Sequence, residues 1–93
     1  MDEKLIKIAK RVISETFSLP VEQISIEDNL TEDLAADSIV LFELIVRFEK
    51  ILGIEADYND LIKIVTVNDI VDYLKKLEVN PEEIEKTLDS EVT

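Results

Sequence analysis

The 93-residue chain contains no cysteine, no histidine and no tryptophan, and only one glycine and two prolines. Without cysteine there is no disulfide framework, no thiolate metal site and no intrinsic thiol for covalent chemistry. Without histidine, the side chain that most often serves as general base near neutral pH is missing. A serine nucleophile activated within the chain is therefore excluded, and the two zeros together argue against a self-sufficient enzyme. Basic residues are also scarce, with 10 Lys and Arg against 22 Asp and Glu, a net charge of −12. Nucleic acid and an anionic membrane surface would be repelled, whereas basic patches on partner proteins would be attracted and steered in. No apolar run approaches the ~20 residues of a membrane span, and "MDEKLIKIAKR" has acids where a signal sequence would be apolar. The expectation is a soluble, cytoplasmic monomer that binds neither nucleic acid nor membrane.

What the chain does contain is 46% apolar residues, enough for one core in a domain that buries roughly 60–65% of its unfolded surface. Their spacing is helical, and alternating Val/Thr-rich runs are missing, so the fold class expected is all-α. Leu5, Ile8, Ala9, Val12, Ile13 and Phe17 form one stripe of a helix over about 2–17. A long connection follows from Ser18 to Asp37, with a short turn opened by Pro20 and apolar anchors at Ile24, Ile26, Leu30 and Leu34. Connections of this length in a small domain are often functional. Seven acids and no base fall between Ser18 and Val46: Glu22, Glu27, Asp28, Glu32, Asp33, Asp37 and Glu43.

A second helix is predicted from Ser38 to Leu52, stopped by Gly53 and apolar almost all round. A short helix near 58–63 follows, with Asp57 as its cap. "TVND" at Thr66 starts the last core helix, whose stripe is Val67, Ile70, Val71, Leu74 and Leu77. Residues 78–93 form an extension in which Asn80-Pro81 could restart a helix. With only Ile84 and Leu88 for an apolar face, it reads as a marginal helix or a frayed end.

The residue that asks for explanation is Ser38. Serine and aspartate before an apolar run are ordinary helix caps. The acidic "EDNLTED" is no calcium loop, since the turn glycine and closing glutamate are missing. A helix N-terminus, however, tolerates phosphate, because its N–H groups are unpaired and its dipole end is positive. A chain without cysteine that handles thioesters would need an imported thiol.

The string Glu32-Asp33-Leu34-Ala35-Ala36-Asp37-Ser38-Ile39 resembles the Asp-Ser-Leu signature and its approach in the acyl carrier protein family. The later "KIVTVNDIVDYL" resembles that family's short third helix running into its fourth. The resemblance covers residues 3 to about 77 and implies a four-helix bundle of acyl-carrier type, with three main helices and a short third, as a carrier domain over 1–77. It implies that Ser38 bears 4'-phosphopantetheine, added from coenzyme A by a phosphopantetheinyl transferase, with Asp37 assisting by positioning magnesium in that reaction. Such a chain is no enzyme. It holds acyl groups as thioesters and presents them to condensing and acyl-transferring partners with basic docking patches, in fatty-acid or related (polyketide, specialised lipid, amino-acyl) biosynthesis.

Partner contacts are expected at Val40, Leu41, Glu43, Arg47, Glu49, Glu55, Asp57 and Asp60. An inward stripe of Ile39, Phe42, Ile45, Phe48 and Leu52 is expected on the second helix. Phe42, Ile45 and Phe48, with Leu61 and Ile64, would line the acyl pocket and restrict it to short or polar chains. The sequence departs from the family at Val40, commonly acidic in fatty-acid carriers, and at Ala35, commonly glycine. The alternative reading is a non-modified acidic helical adaptor that binds through the second helix.

Overall fold

The computed structural model describes residues 2–91. Its helices are α1 (Glu3–Phe17), α2 (Ser38–Leu52), α3 (Tyr58–Leu61), α4 (Val67–Lys76) and α5 (Pro81–Glu91), with a 3₁₀ turn at Val21–Gln23 after Pro20. Among the described residues there is no strand, and the radius of gyration is 12.2 Å, close to the ~12 Å of a single packed body of this length. The fold is the all-α bundle of the acyl-carrier type. No described helix is long and apolar enough to cross a membrane.

The helices α2 to α5 each begin where a short polar side chain takes up a first free N–H group. Asp37 Oδ1 accepts from the Val40 N–H at 2.9 Å, and Asp57 Oδ1 from Asn59 at 2.8 Å. Asn80 Oδ1 accepts from Glu82 at 3.0 Å. At α4 the cap is reciprocal: the Asp69 N–H donates to Thr66 Oγ1, while Asp69 Oδ2 accepts from Thr66 N–H. Gly53 ends α2 in the left-handed conformation, φ 66°, that only glycine adopts without strain.

The core gathers the α1 stripe (Leu5, Ile8, Ala9, Val12, Ile13) against Leu44 and Ile51 of α2 and Val67, Ile70, Val71 and Leu74 of α4. Ile24 and Leu30 fix the long connection to it. The phase of α2 differs from the one expected. Ile39 and Phe42 are 68% and 66% exposed. The bundle takes Leu44 and Ile51, with Leu41 and, as expected, Phe48 and Leu52 half-buried beside them. A helix apolar on every side satisfies several stripes at once, so spacing alone could not fix its rotation; packing against α1 and α4 does.

Of the two states expected for the extension, the structure shows the helix. Its only apolar pair is buried, Ile84 at 5% and Leu88 at 1% exposure, in the same core. Lys4 reaches Glu82 and Arg11 reaches Asp89, both at 2.9 Å. The two cations and the two carboxylates are each seven residues apart, so α5 runs alongside α1 in the same direction. Exposed pairs of this kind contribute little; burial of the two side chains holds the helix. Leu88→Ala is expected to cost about 2–5 kcal/mol, measured by chemical denaturation. A change near zero would mean that α5 is not packed in solution.

Candidate functional site

Ser38 lies exposed at the start of α2, at the end of a connection with almost no regular structure. Backbone hydrogen bonds to the start of α4 order that connection. Leu30 N–H donates to Val65 O (3.0 Å), Val67 N–H to Asp28 O (3.0 Å) and Asn68 N–H to Ile26 O (2.9 Å). Asn29 and Thr66 form the bridge at the centre of this crossing. The Asp69 carboxylate braces the other side by accepting from both Val65 and Thr66 N–H at 2.9 Å. These bonds hold its pKa below the ordinary carboxylate value, the Thr66 N–H contributing most and partial burial opposing.

From the crossing the chain turns back. Ala36 N–H donates to Leu30 O at 3.0 Å, and Ala35 adopts φ 57°. This is the left-handed region, which costs a residue with a Cβ about 1–2 kcal/mol. The position commonly held by glycine in the resembled family is thus one whose backbone favours glycine, and Ala35 keeps the conformation at that cost.

At the α2 terminus the cap takes the Val40 N–H, and Leu41 N–H donates to Asp37 O at 3.0 Å. The N–H groups of Ser38 and Ile39 have no acceptor among the described residues. An exposed hydroxyl beside two free backbone donors suits a phosphodiester, whose charge those donors and the helix dipole partly compensate. The cap uses one Asp37 oxygen and leaves the other outside that bond. The chain has no histidine that could deprotonate Ser38.

One turn into α2 an apolar cavity of about 100 Å³ opens among α2, α3 and α4. Ile45, Phe48, Leu61 and Ile64 line it, together with Leu30, Leu41, Leu44, Leu52, Ile70 and Tyr73, which the sequence did not single out as lining. Leu30, Leu52 and Ile70 were expected to face the core; that they meet in one cavity depends on the α2–α4 packing, which is tertiary. Two expectations are corrected here by the rotation of α2. Phe42 lies outside the cavity, along an open groove with Glu15, Thr16, Val46, Arg47 and Lys50. Leu41, expected on the partner-facing surface, lines the cavity.

The residues expected to meet partners fall into two groups. Glu43, Glu55 and Asp57 are exposed, and Val40 is half-exposed. Arg47, Asp60 and Glu49 have structural partners, as Asp57 does in capping α3. Arg47 donates to Glu15 of α1 at 2.8 Å, and Asp60 pairs with Lys76 at 3.1 Å. Glu49, half-buried, accepts from the Ala56 N–H at 2.9 Å. Exposed Ile39, Phe42, Tyr58 and Ile62 were not expected on the surface; a phase error on α2 hid the first two.

An exposed serine opening an apolar helix beside an apolar cavity, in an acidic helical bundle, is the arrangement that a carrier of a covalently attached group needs. Comparison with known proteins agrees. Residues 7–74 match the family model described as a phosphopantetheine attachment site. The chain is 40% identical over 74 residues to an acyl carrier protein of Thermotoga maritima, covering 80% of this chain and 91% of that protein. It is 36% identical over 70 residues to one of Desulforapulum autotrophicum, covering 75% and 91%. The chain belongs to the acyl carrier protein family, whose prosthetic group is 4'-phosphopantetheine.

The different surroundings of the two α2 carboxylates are testable. Glu43→Lys should change stability by no more than about 0.5 kcal/mol. Glu49→Lys should cost about 1–3 kcal/mol, because it leaves the Ala56 N–H without its acceptor. Chemical denaturation of both variants measures this, and equal midpoints would contradict the structural role of Glu49.

Proposed function

We propose that the protein is an acyl carrier in which Ser38 bears the 4'-phosphopantetheine arm. It presents acyl groups to partner enzymes of fatty-acid or related (polyketide, specialised lipid, amino-acyl) biosynthesis. The observation that carries this reading is the exposed Ser38 hydroxyl beside the free N–H groups of Ser38 and Ile39. The arm supplies the thiol that this chain lacks, and on it acyl groups travel as thioesters. In the attachment step Ser38 Oγ bonds to the pantetheine-side phosphorus of coenzyme A, the pyrophosphate bond breaks, and adenosine 3',5'-bisphosphate leaves. The transferase takes up the serine proton, and Asp37 helps position the magnesium that it uses.

Encounter with partners is steered by the acids around the Ser38 end. Asp37, Glu43, Glu55 and Asp57 are exposed there and on the α3 side; basic docking patches are their complement. Val40, Ile39 and Phe42 supply apolar contact between those charges. The carrier raises effective concentration at each partner by tethering its cargo and performs no chemistry of its own.

The cavity beneath α2 is the place for the acyl chain. About 100 Å³ is less than the ~150 Å³ of an apolar cavity that accepts benzene, and the Phe48 and Tyr73 rings form part of its wall. Short chains fit it; long saturated chains would have to push its walls apart against dense packing.

The test is loading by a broad phosphopantetheinyl transferase from acyl-coenzyme A donors of increasing chain length. Intact mass should rise by one acyl-phosphopantetheine in the native protein and not at all in Ser38→Ala. The melting temperature of the loaded protein should rise over the shortest chains and then level off. No mass gain would leave an unmodified acidic adaptor as the better reading. A melting temperature that climbs steadily through long saturated chains would overturn the preference for short ones.

A further inference from the structure

The match to the carrier family ends at residue 74, so α5 lies outside it. Between α5 and the C-terminal end of α2 runs a cleft of about 220 Å³. Its apolar wall is Ile51, Leu52, Val79 and Ile84, and its polar rim includes Glu83 and Thr87. Leu52 is the one side chain that lines both this cleft and the 100 Å³ cavity among α2, α3 and α4. It is half-buried, in the last turn of α2, immediately before Gly53.

We propose that Leu52 is the chain-length stop of this carrier, a side-chain partition between the acyl cavity and the partly apolar cleft that α5 adds to the bundle. The role rests on the reading that the acyl chain enters the α2–α4 cavity. An alkyl chain entering from the Ser38 end passes Leu41, Ile45 and Phe48 and meets Leu52 one helical turn further along α2. Phe48 and Leu52, at i and i+4, stand on one face of the helix, so the chain's path along that face ends on the Leu52 side chain.

Behind Leu52 there is no densely packed wall of the kind that surrounds most core positions. The cleft is there, with Val79 and Ile84 ready to cover further methylene groups. Ile84 is itself fixed in the core, so the far side of the compartment is rigid while the partition is one flexible aliphatic side chain with two rotatable bonds. A carrier without α5 would place solvent in this position, and a chain passing Leu52 would gain no burial. With α5 present, the length accepted is set by one residue rather than by the whole bundle.

The experiment compares the holo protein with Leu52→Ala, each loaded with straight saturated acyl chains of increasing length. The reading is the melting temperature and the amide shifts of Val79, Ile84 and Thr87. In the native protein the melting temperature should level off at short chains, with the three α5-side amides unmoved. In Leu52→Ala the plateau should shift to longer chains, and those amides should move only for chains beyond the native plateau. Thr87→Leu in the Leu52→Ala background, filling the cleft from α5, should return the plateau toward the native length. Leu52→Val opens the partition less and, should Leu52→Ala fold poorly, is expected to show the same shift in smaller measure. Identical plateaus in the native protein and both Leu52 variants would overturn the stop while leaving the cavity reading intact. Absence of stabilisation by any chain in any of the proteins would overturn the cavity reading and the stop with it.

Discussion

The crossing of residues 26–30 with residues 65–68 is the constraint on which the rest depends. Three backbone hydrogen bonds and a single bridge join a connection without helix to the start of α4. In an isolated chain this pairing would be too small to persist, since even a two-stranded hairpin is marginal in water. It holds because both sides are braced independently. Leu30, Val67 and Ile70 anchor it in the core, and the Asp69 carboxylate fixes Val65 and Thr66. Ser38 is presented at one side of this crossing, by way of Ala36 bonded back to Leu30. On the other side Leu30, Ile64 and Ile70 form part of the cavity wall. Ser38 and the apolar cavity are thus positioned by one device.

The second determinant is the rotation of α2. Its apolar residues on every side serve two purposes that a strictly amphipathic helix could not combine. Leu41, Leu44, Phe48 and Ile51 meet the bundle, while Ile39 and Phe42 stay in solvent, Phe42 beside charges of both signs. Exposed apolar residues rimmed by charge mark surfaces that meet other proteins. The groove beside Phe42 has the Arg47–Glu15 pair across it, so α2 is tied to α1 on that side while its N-terminal turn remains open.

Local signals proved legible in the sequence, and tertiary ones did not. Asp37, Asp57, Thr66 with Asp69, Asn80 and Gly53 mark the helix ends because capping depends on neighbours within four residues. The α1 and α4 stripes are legible too, since each is broken by polar residues on the other side. The α2 stripe is not, because Glu43, Arg47 and Lys50 mark only part of its outward side and apolar Ile39 and Phe42 share that side with them. The packing of α5 was invisible as well: two apolar residues make a weak helix until α1 offers them a surface. The backbone crossing leaves almost no trace in residue types, for its donors and acceptors are the same in every sequence. Ser38 could be found from the string around it, and its two free N–H groups only from the structure.

Asp69 is where this account is most directly open to test. Its folded-state pKa lies below the unfolded value, so its contribution is complete above about pH 4 and lost as pH falls through the lowered value. At neutral pH it is fully present, and Asp69→Asn removes the charge without removing the shape. Amide hydrogen exchange at Leu30, Val67 and Asn68, in the native protein and in Asp69→Asn, reports on the crossing itself. All three should be protected like the core helices in the native protein and should lose protection together in the variant. Contradiction would be Leu30, Val67 and Asn68 retaining their protection in Asp69→Asn while exchange quickens only at Val65 and Thr66.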